Sequence, residues 1–224
     1  MPRRDAYVSG LRTVAPVLVG IVPFGLIAGA AAVEAGLSLA QALGLSTIVF
    51  AGASQLAAID LLGQDAPLLV VVGTALVINL RMVMYSASLA PSFAGISRRA
   101  RAIVAYLLTD QAYALSVAAD HDDDTARLWY YLGLATPLWT VWVVCTAIGA
   151  VVGARLPPWL PLSFAVPLTF LAILVPAVVD RPSLVAAVVG GGVAVVGVGL
   201  PYNLGLLAGA VAGIVAGMAV EVAR

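Results

Sequence analysis

The stretch Phe50-Ala-Gly-Ala-Ser-Gln-Leu-Ala-Ala-Ile-Asp60, followed by Val77-Ile-Asn-Leu-Arg-Met-Val-Met-Tyr85, places glycine, serine, side-chain amides and an arginine in segments that are otherwise as apolar as lipid. A charge near the centre of a bilayer costs at least ~2.5–3.5 kcal/mol on insertion scales, so Arg81 needs a partner or a water-filled cavity. Because the fold alone does not require this cost, the polar groups of these two stretches mark the expected functional site.

The composition of the whole chain is that of an integral membrane protein. Its 224 residues are 62% apolar and only 10% charged, and the mean hydropathy is +1.09. The apolar runs have about the 20-residue length that a helix needs to cross a bilayer, and helices satisfy every backbone polar group internally. Long runs such as 66–90 lack the alternation of membrane β-strands. We therefore expect one all-α, polytopic transmembrane domain over residues 1–224.

One cysteine excludes a multi-cysteine metal site, and the cluster of carboxylates and one histidine at 120–124 can bind a divalent cation only as an alternative, because nothing in the sequence fixes its geometry. Cys145 is the only cysteine, which excludes an intrachain disulfide. His121 is the only histidine and lies in the polar segment Asp120-His-Asp-Asp-Asp124, where we interpret it as a solvated loop residue. We expect no metal, no cofactor and no nucleic-acid partner.

The arginines decide between two topologies. Eight full crossings would separate Arg98, Arg99 and Arg101 from the N-terminal arginines, against the positive-inside rule. If runs 41–62 and 160–179 are instead broken or re-entrant, about six crossings remain and both termini are cytoplasmic. The remaining crossings are the apolar runs at about 14–33, 67–90, 101–119, 129–153, 183–200 and 201–222. In that arrangement Glu34, Asp65 and the acidic loop 120–124 face outward, and only Arg127 disagrees. The arginines then placed in the cytoplasm are Arg3, Arg4, Arg12, Arg98, Arg99, Arg101, Arg155, Arg181 and Arg224.

Helix-interrupting residues support the same interpretation. Gly52 and Ser54 lie in the first of the two runs, and Pro157, Pro158, Pro161 and Pro167 lie in or beside the second. The two halves of the chain also suggest an inverted repeat with units 14–119 and 129–222, a plan that recurs in transporters. The alternative is chance similarity among segments rich in Ala, Val and Gly.

Arg81 and Asp110 are predicted to meet near the middle of the bilayer. Arg81 lies ten residues before Pro91, and Asp110 lies nine after Arg101. At about 1.5 Å per residue both are roughly 14 Å from one membrane face. An ion pair there is either part of a substrate site or a static lock between two helices.

Further polar residues surround this pair. An interruption at Gly52–Gln55 would present free backbone amides, and the N-terminus of a half-helix suits a substrate carboxylate. Asp60, near the external end of the same run, has either a structural or interfacial role or a functional one. The candidate substrate-binding residues, which cannot all face one point, are Gly52, Ala53, Ser54, Gln55, Asn79, Arg81, Asp110, Gln111 and Tyr113.

Two features near the C-terminus indicate packing. Pro201-Tyr-Asn203 is expected to form a turn between the last two spans. Gly205, Gly209, Gly213 and Gly217 recur at four-residue spacing and let another backbone approach closely. The neighbour is either a helix of this chain or a second subunit.

Four parts of the chain together resemble a known family. They are Phe50-Ala-Gly-Ala-Ser-Gln-Leu-Ala-Ala-Ile59, Asn79-Leu-Arg81 with Tyr85-Ser86, Thr109-Asp-Gln111 and Pro201-Tyr-Asn-Leu-Gly205. The family that they resemble is the AzlC type, the large subunit of branched-chain amino acid exporters. The resemblance extends from about residue 10 to 222. Family members often have His or Tyr where this chain has Met82. The resemblance implies export of valine, leucine, isoleucine or similar small apolar amino acids across the plasma membrane, and a separately encoded four-helix partner of the AzlD type.

These expectations combine into one mechanism. The substrate carboxylate would bind at the Gly52–Gln55 interruption or at Arg81, the apolar side chain would contact helix surfaces, and Asp110 would couple transport to a proton gradient. A channel and a structural subunit without a substrate site are alternatives. An intramembrane enzyme is not expected, because the sole histidine lies in a loop and Asp60 and Asp110 are predicted at different depths.

Overall fold

A computed structural model describes residues 1–119, 123–154, 178–200 and 204–222, and throughout these ranges the chain is a helical bundle without β-strands. The polytopic all-α fold is thereby confirmed. Among the described residues, five helices are long and apolar enough to cross a membrane. They are α1 (Arg3–Glu34), α4 (Leu68–Leu89), α7 (Asp124–Gly153), α8 (Arg181–Val196, prolonged by a 3₁₀ turn Gly197–Gly199) and α9 (Leu204–Val222).

The centre of the bundle is a parallel pair formed by α1 and α7. Gly10 lies against Gly133 near the start of both helices, and Gly29 lies against Thr146 and Gly149 against Leu26 near their ends. At these glycines the two backbones approach so closely that a Cβ would overlap a carbonyl group. Because the contacts keep the same order along both helices, α1 and α7 begin on the same face of the bundle, which we call the N-terminal face.

Between α1 and α4 the chain forms a re-entrant hairpin, hairpin 1 (Leu39–Gly63). It contains α2 (Leu39–Gly44), a π-helical turn (Leu45–Val49) and α3 (Gly52–Gly63). The interruption falls at Phe50, which has a left-handed backbone (φ 39°), and at the extended Ala51. α2 itself starts with a capping box between Ser38 and Gln41.

Contacts with α1 show that hairpin 1 enters and leaves at one face. A Cβ placed on Gly52, where α3 starts, would lie 2.7 Å from the ring of Phe24, and one on Gly63, where α3 ends, 3.2 Å from the Cβ of Ala35. Phe24 and Ala35 are eleven residues apart, or roughly 16 Å along a helix at about 1.5 Å per residue. α3 therefore returns from mid-depth to the face opposite the N-terminal one, and the re-entrant interpretation of run 41–62 is confirmed.

α4 then crosses to the N-terminal face and ends in a 3₁₀ turn (Pro91–Phe93) beside the start of α7. The Arg127 guanidinium donates a 2.8 Å hydrogen bond to the carbonyl oxygen of Ser92, and the rings of Phe93 and Tyr131 are 5.5 Å apart.

A second re-entrant hairpin, hairpin 2 (Arg98–Val117), follows from the N-terminal face. It contains α5 (Arg98–Tyr106) and α6 (Asp110–Val117). Along α7, Tyr131 binds the carbonyl of Val104, and Trp139, deeper in the bundle, binds Tyr106. α6 then runs back beside α4: Asp110 lies at Arg81, whereas Tyr113 lies at Ser88, close to the end of α4 on the N-terminal face.

The prediction that run 101–119 forms one continuous crossing is therefore wrong. The helix ends at Tyr106, and Thr109, with an extended backbone (φ −137°, ψ 168°), starts a new helix by accepting a hydrogen bond from the amide of Ala112. Hydropathy does not detect such an interruption because Leu107 and Leu108 are as apolar as a span.

Hairpin 2 also corrects the expected topology. Since α7 begins on the N-terminal face, Asp123 and Asp124 lie on the same face as Arg3, Arg4 and Arg12, and the prediction that the acidic loop faces the other side is wrong for them. Arg127, the one arginine that disagreed, joins the others there. The error arose because hairpin 2 adds no crossing before α7.

Several expectations fall outside the described residues. These are the interruption in run 160–179 with its prolines, the loop residues Asp120–Asp122 including His121, the turn Pro201–Asn203, and Arg155 and Arg224. The inverted repeat with units 14–119 and 129–222 stays a prediction.

The small-residue stripe of α9 packs within the chain. Gly205, Gly209, Gly213 and Gly217 are buried, and they lie against Gly197, Gly190 and Ala186 of the preceding helix and its 3₁₀ turn. The neighbour left open by the sequence is therefore α8 with its 3₁₀ turn.

Candidate functional site

The tips of the two hairpins meet at mid-depth, where they enclose part of a cavity of about 370 Å³. This volume is within the range of small-molecule sites. The cavity has three kinds of wall. Its polar side chains are Arg81, Thr109, Asp110 and Gln111, its backbone wall is Ala51–Ala53, and its apolar wall is Ile21, Phe24, Phe50, Met82, Leu138 and Trp142.

An ion pair occupies the polar end of the cavity. The Nη1 atom of Arg81 lies 3.1 Å from Oδ1 of Asp110, and the hydroxyl of Tyr85 donates a 3.1 Å hydrogen bond to the same oxygen. Both charged side chains are half-buried, with 30% and 37% of their surface exposed. The predicted pairing of these residues is present, and each partner lowers the cost of holding the other in the membrane.

The backbone wall is the N-terminus of α3. This helix has no side-chain N-cap, because its N-cap residue is Ala51, whose side chain has no acceptor; the nearby Ser54 hydroxyl donates to the carbonyl of Ala51. The first amides of a helix lack intrahelical partners and carry a partial positive charge. Gly52 and Ala53 therefore present an electropositive surface to the cavity.

The N-terminus of α6 reaches the same cavity with the opposite character. Its N-cap Thr109 accepts a 3.2 Å hydrogen bond from the amide of Ala112, and Asp110 supplies a carboxylate in the first turn. The positive end of α6 is thus capped and neutralised, whereas that of α3 is open. One cavity consequently offers an anion-attracting end and a carboxylate.

Ser54 and Gln55, which the sequence placed in the site, do not line the cavity. Both are fully buried. The Gln55 amide donates to the hydroxyl of Ser46 at 2.8 Å and accepts from the indole N–H of Trp142 at 3.2 Å. These two residues hold the tip of hairpin 1 in shape and fix it to α7.

Asn79 and Tyr113 also lie outside the cavity wall. Tyr113 stacks on Tyr85, with ring centroids 4.2 Å apart, and its hydroxyl pairs with that of Ser88 at 3.1 Å. The side-chain oxygen of Asn79 is buried and has no hydrogen-bond partner in the described part of the chain. Of the nine predicted residues, the cavity brings together Gly52, Ala53, Arg81, Asp110 and Gln111.

The apolar wall was missed by sequence reasoning. Phe24 of α1 and Trp142 of α7 pack edge to face with centroids 5.3 Å apart, and Phe50 lies at the tip of hairpin 1. An aromatic residue in an apolar run is no outlier, so the sequence holds no signal for these three. The wall would suit an aliphatic group beside the charged end.

The two hairpin tips also contact each other directly. The Tyr106 hydroxyl donates a 2.7 Å hydrogen bond to the carbonyl of Thr47 and accepts one of 2.9 Å from the Trp139 indole N–H. The rings of Phe50 and Tyr106 are 6.3 Å apart. Within the described residues no three His, Cys, Asp or Glu side chains come together as a metal site.

Comparisons with known proteins identify this chain as similar to a family of membrane proteins. A family model described as AzlC protein matches residues 16–156. An uncharacterized membrane protein of Archaeoglobus fulgidus is 32% identical over 208 residues, which cover 88% of each chain. The inner membrane protein YgaZ of Escherichia coli is 29% identical over 224 residues, covering 95% of this chain and 89% of YgaZ. No solved structure gives a significant match.

Proposed function

Since the chain belongs to the AzlC family of membrane proteins, we propose that it is a transporter subunit that exports branched-chain or similar small apolar amino acids. The observation that carries this proposal is the mid-depth cavity. It combines the open N-terminus of α3, the Arg81–Asp110 pair and an aromatic wall.

The three walls correspond to the three parts of an apolar amino acid. The substrate carboxylate binds the amides of Gly52 and Ala53, with Arg81 as the nearest fixed positive charge. Its ammonium group turns to Asp110, and its side chain lies against Phe24 and Trp142. Substrate recognition thus depends on a positive helix end and a carboxylate that line one small cavity.

Asp110 is the proposed site of proton coupling. Its carboxylate already accepts hydrogen bonds from Arg81 and Tyr85, so a substrate ammonium competes with Arg81 for the same oxygens. Protonation of Asp110 removes its attraction for the ammonium and favours release. Export then draws on the proton gradient because the proton and the substrate ammonium exclude each other at Asp110.

The partner and orientation complete the proposal. A small, separately encoded subunit of the AzlD type assembles with this chain, as the family resemblance implies, in the plasma (inner) membrane. The N-terminal face, which carries Arg3, Arg4, Arg12 and Arg127, is cytoplasmic, in accordance with the positive-inside rule. The N-terminus is proposed to be on that side. A cytoplasmic C-terminus as well, as expected from the sequence, requires a sixth crossing in addition to the five described spans.

Counterflow in liposomes tests the proposed function. Protein reconstituted with and without the small subunit is loaded with unlabelled leucine, and uptake of labelled alanine, valine, leucine, methionine and lysine is measured. We expect accumulation of the apolar amino acids and none of lysine, with collapse of the pH gradient reducing net export. Absence of counterflow for every amino acid in the presence of the partner would refute the proposal.

The alternatives make different predictions in the same assay. A channel equilibrates labelled solute without counterflow, because it has no alternating site. A structural subunit shows no flux that depends on Arg81. Enzymatic chemistry by a pair of carboxylates, Asp60 and Asp110, is disfavoured because the two lie at different depths. Asp60 lies eight residues past Gly52, roughly 12 Å towards the face opposite the N-terminal one at about 1.5 Å per residue, whereas Asp110 lies at mid-depth.

A further inference from the structure

Gly52 occupies an unusual place between the two kinds of binding surface in the cavity. It is the first residue of α3, so its amide belongs to the electropositive wall. A Cβ on Gly52 would lie 2.7 Å from Cε1 of Phe24 and 3.0 Å from the ring of Trp142, both of which line the apolar wall. The absence of a side chain therefore lets two aromatic rings close directly onto the helix end.

The two rings differ in how freely they can yield. Trp142 is only 4% exposed and its indole N–H is bonded to Gln55, which itself is fully buried. Phe24 is half-buried, and the atom nearest to a Cβ on Gly52 is at the far part of its ring. An added methyl group would thus displace Phe24 and take up space at the junction of the backbone and apolar walls.

We propose that Gly52 is a specificity-determining residue, which sets the length of apolar side chain that the cavity accepts by letting Phe24 and Trp142 close onto the first turn of α3. The inference rests on the proposed function, since it assigns the aliphatic part of the substrate to that junction. In a hydrophobic pocket one methylene changes discrimination by about 10–200-fold.

The test compares Gly52→Ala with wild-type protein for alanine, valine and leucine. We expect the leucine-to-alanine counterflow ratio to fall at least about 10-fold in Gly52→Ala. Replacing the displaced ring in the double variant Gly52→Ala/Phe24→Leu should restore much of that ratio. Gly44→Ala is the matched control in the same hairpin, because a Cβ there meets nothing within 4 Å.

A second measurement separates selectivity from impaired cycling. Binding of each amino acid to the purified variants is followed as ligand-dependent thermal stabilisation, which reports affinity without transport. The same reordering of alanine and leucine is expected. Ratios that stay within about twofold of wild type, a shift towards leucine, or an equal loss for all three substrates that Phe24→Leu does not relieve would overturn the role of Gly52. If the wild-type protein neither transports nor binds any amino acid, the proposed function itself fails, and this inference with it.

Discussion

The hydroxyl of Tyr106 donates a 2.7 Å hydrogen bond to the main-chain oxygen of Thr47, and so joins two hairpins that enter the bundle from opposite faces. Thr47 belongs to the π-helical turn of hairpin 1, and Tyr106 is the last residue of α5 in hairpin 2. The same hydroxyl accepts the indole N–H of Trp139, which ties both tips to α7. The cavity lies directly beyond these tips, at the starts of α3 and α6.

Tyr106→Phe should loosen the contact between the hairpins. The variant removes two hydrogen bonds, each contributing about 0.5–1.5 kcal/mol, and we expect a lower thermal midpoint in detergent with faster hydrogen exchange at both tips. A double-mutant cycle with Trp139→Phe isolates the shared bond. Additive effects of the two substitutions would show that the bond contributes nothing.

Substitutions in the Arg81–Asp110 pair should distinguish its contribution to stability from its contribution to transport. Arg81→Gln or Asp110→Asn leaves one charge unpaired in the membrane, at a cost of about 2.5–3.5 kcal/mol on insertion scales, so each single variant should be less stable and inactive. The double variant removes both charges, and we expect it to recover thermal stability without recovering counterflow.

Two exposed residues serve as controls for these charges. Arg12→Gln and Glu34→Gln remove one positive and one negative charge, in the N-terminal third and at the last residue of α1, and both variants should transport at the wild-type rate. Recovery of flux in the Arg81/Asp110 double variant would mean that the pair only locks hairpin 2 to α4.

Gln55→Leu should destabilise hairpin 1. The substitution leaves the buried indole N–H of Trp142 and the hydroxyl of Ser46 without their partner, and an unsatisfied buried polar group costs about 1–3 kcal/mol. We expect a lower thermal midpoint and a change in tryptophan fluorescence. Gln64→Leu, at an exposed position just past α3, should behave like wild type.

Glycines between α1 and α7 should be intolerant of any side chain. At Gly29 and Gly149 a Cβ would overlap a backbone carbonyl of the other helix, which no rotamer change relieves. Overpacking of this kind costs about 1–3 kcal/mol, and we expect Gly29→Ala and Gly149→Ala to unfold at lower temperature.

Gly20→Ala provides the contrast on the same helix. A Cβ at Gly20 meets nothing within 4 Å, and alanine has the higher helix propensity. This variant should be as stable as wild type or more so. Equal destabilisation at Gly20 and Gly29 would contradict close backbone packing as the cause.

Much of the site follows from residue type alone. A guanidinium and a carboxylate within apolar runs have to meet, because each is costly in lipid without the other, and Arg81 and Asp110 could be paired by counting residues from the membrane face. The interruption in hairpin 1 was predicted from the polar residues after Phe50, although it falls at Phe50 and Ala51 instead of at Gly52.

Other parts of the site depend on which side of each helix faces inward. Gly52 and Ala53 line the cavity while Ser54 and Gln55, the next two residues, turn into the core. Successive helical residues point about 100° apart, so a short polar motif divides between two environments. The orientation of each residue is set by the neighbours of α3, and these come from α1, α4 and α7.

The sequence by itself determined that this chain is a helical membrane bundle and that Arg81 and Asp110 are partners, because the energy of placing a group in lipid depends on that group and its depth. Only the tertiary structure decided that hairpin 2 turns back, that α7 runs parallel to α1, and that Phe24, Phe50 and Trp142 complete the cavity. A re-entrant segment and a crossing have the same hydropathy, and they differ only in the surfaces of α1, α4 and α7 that receive them.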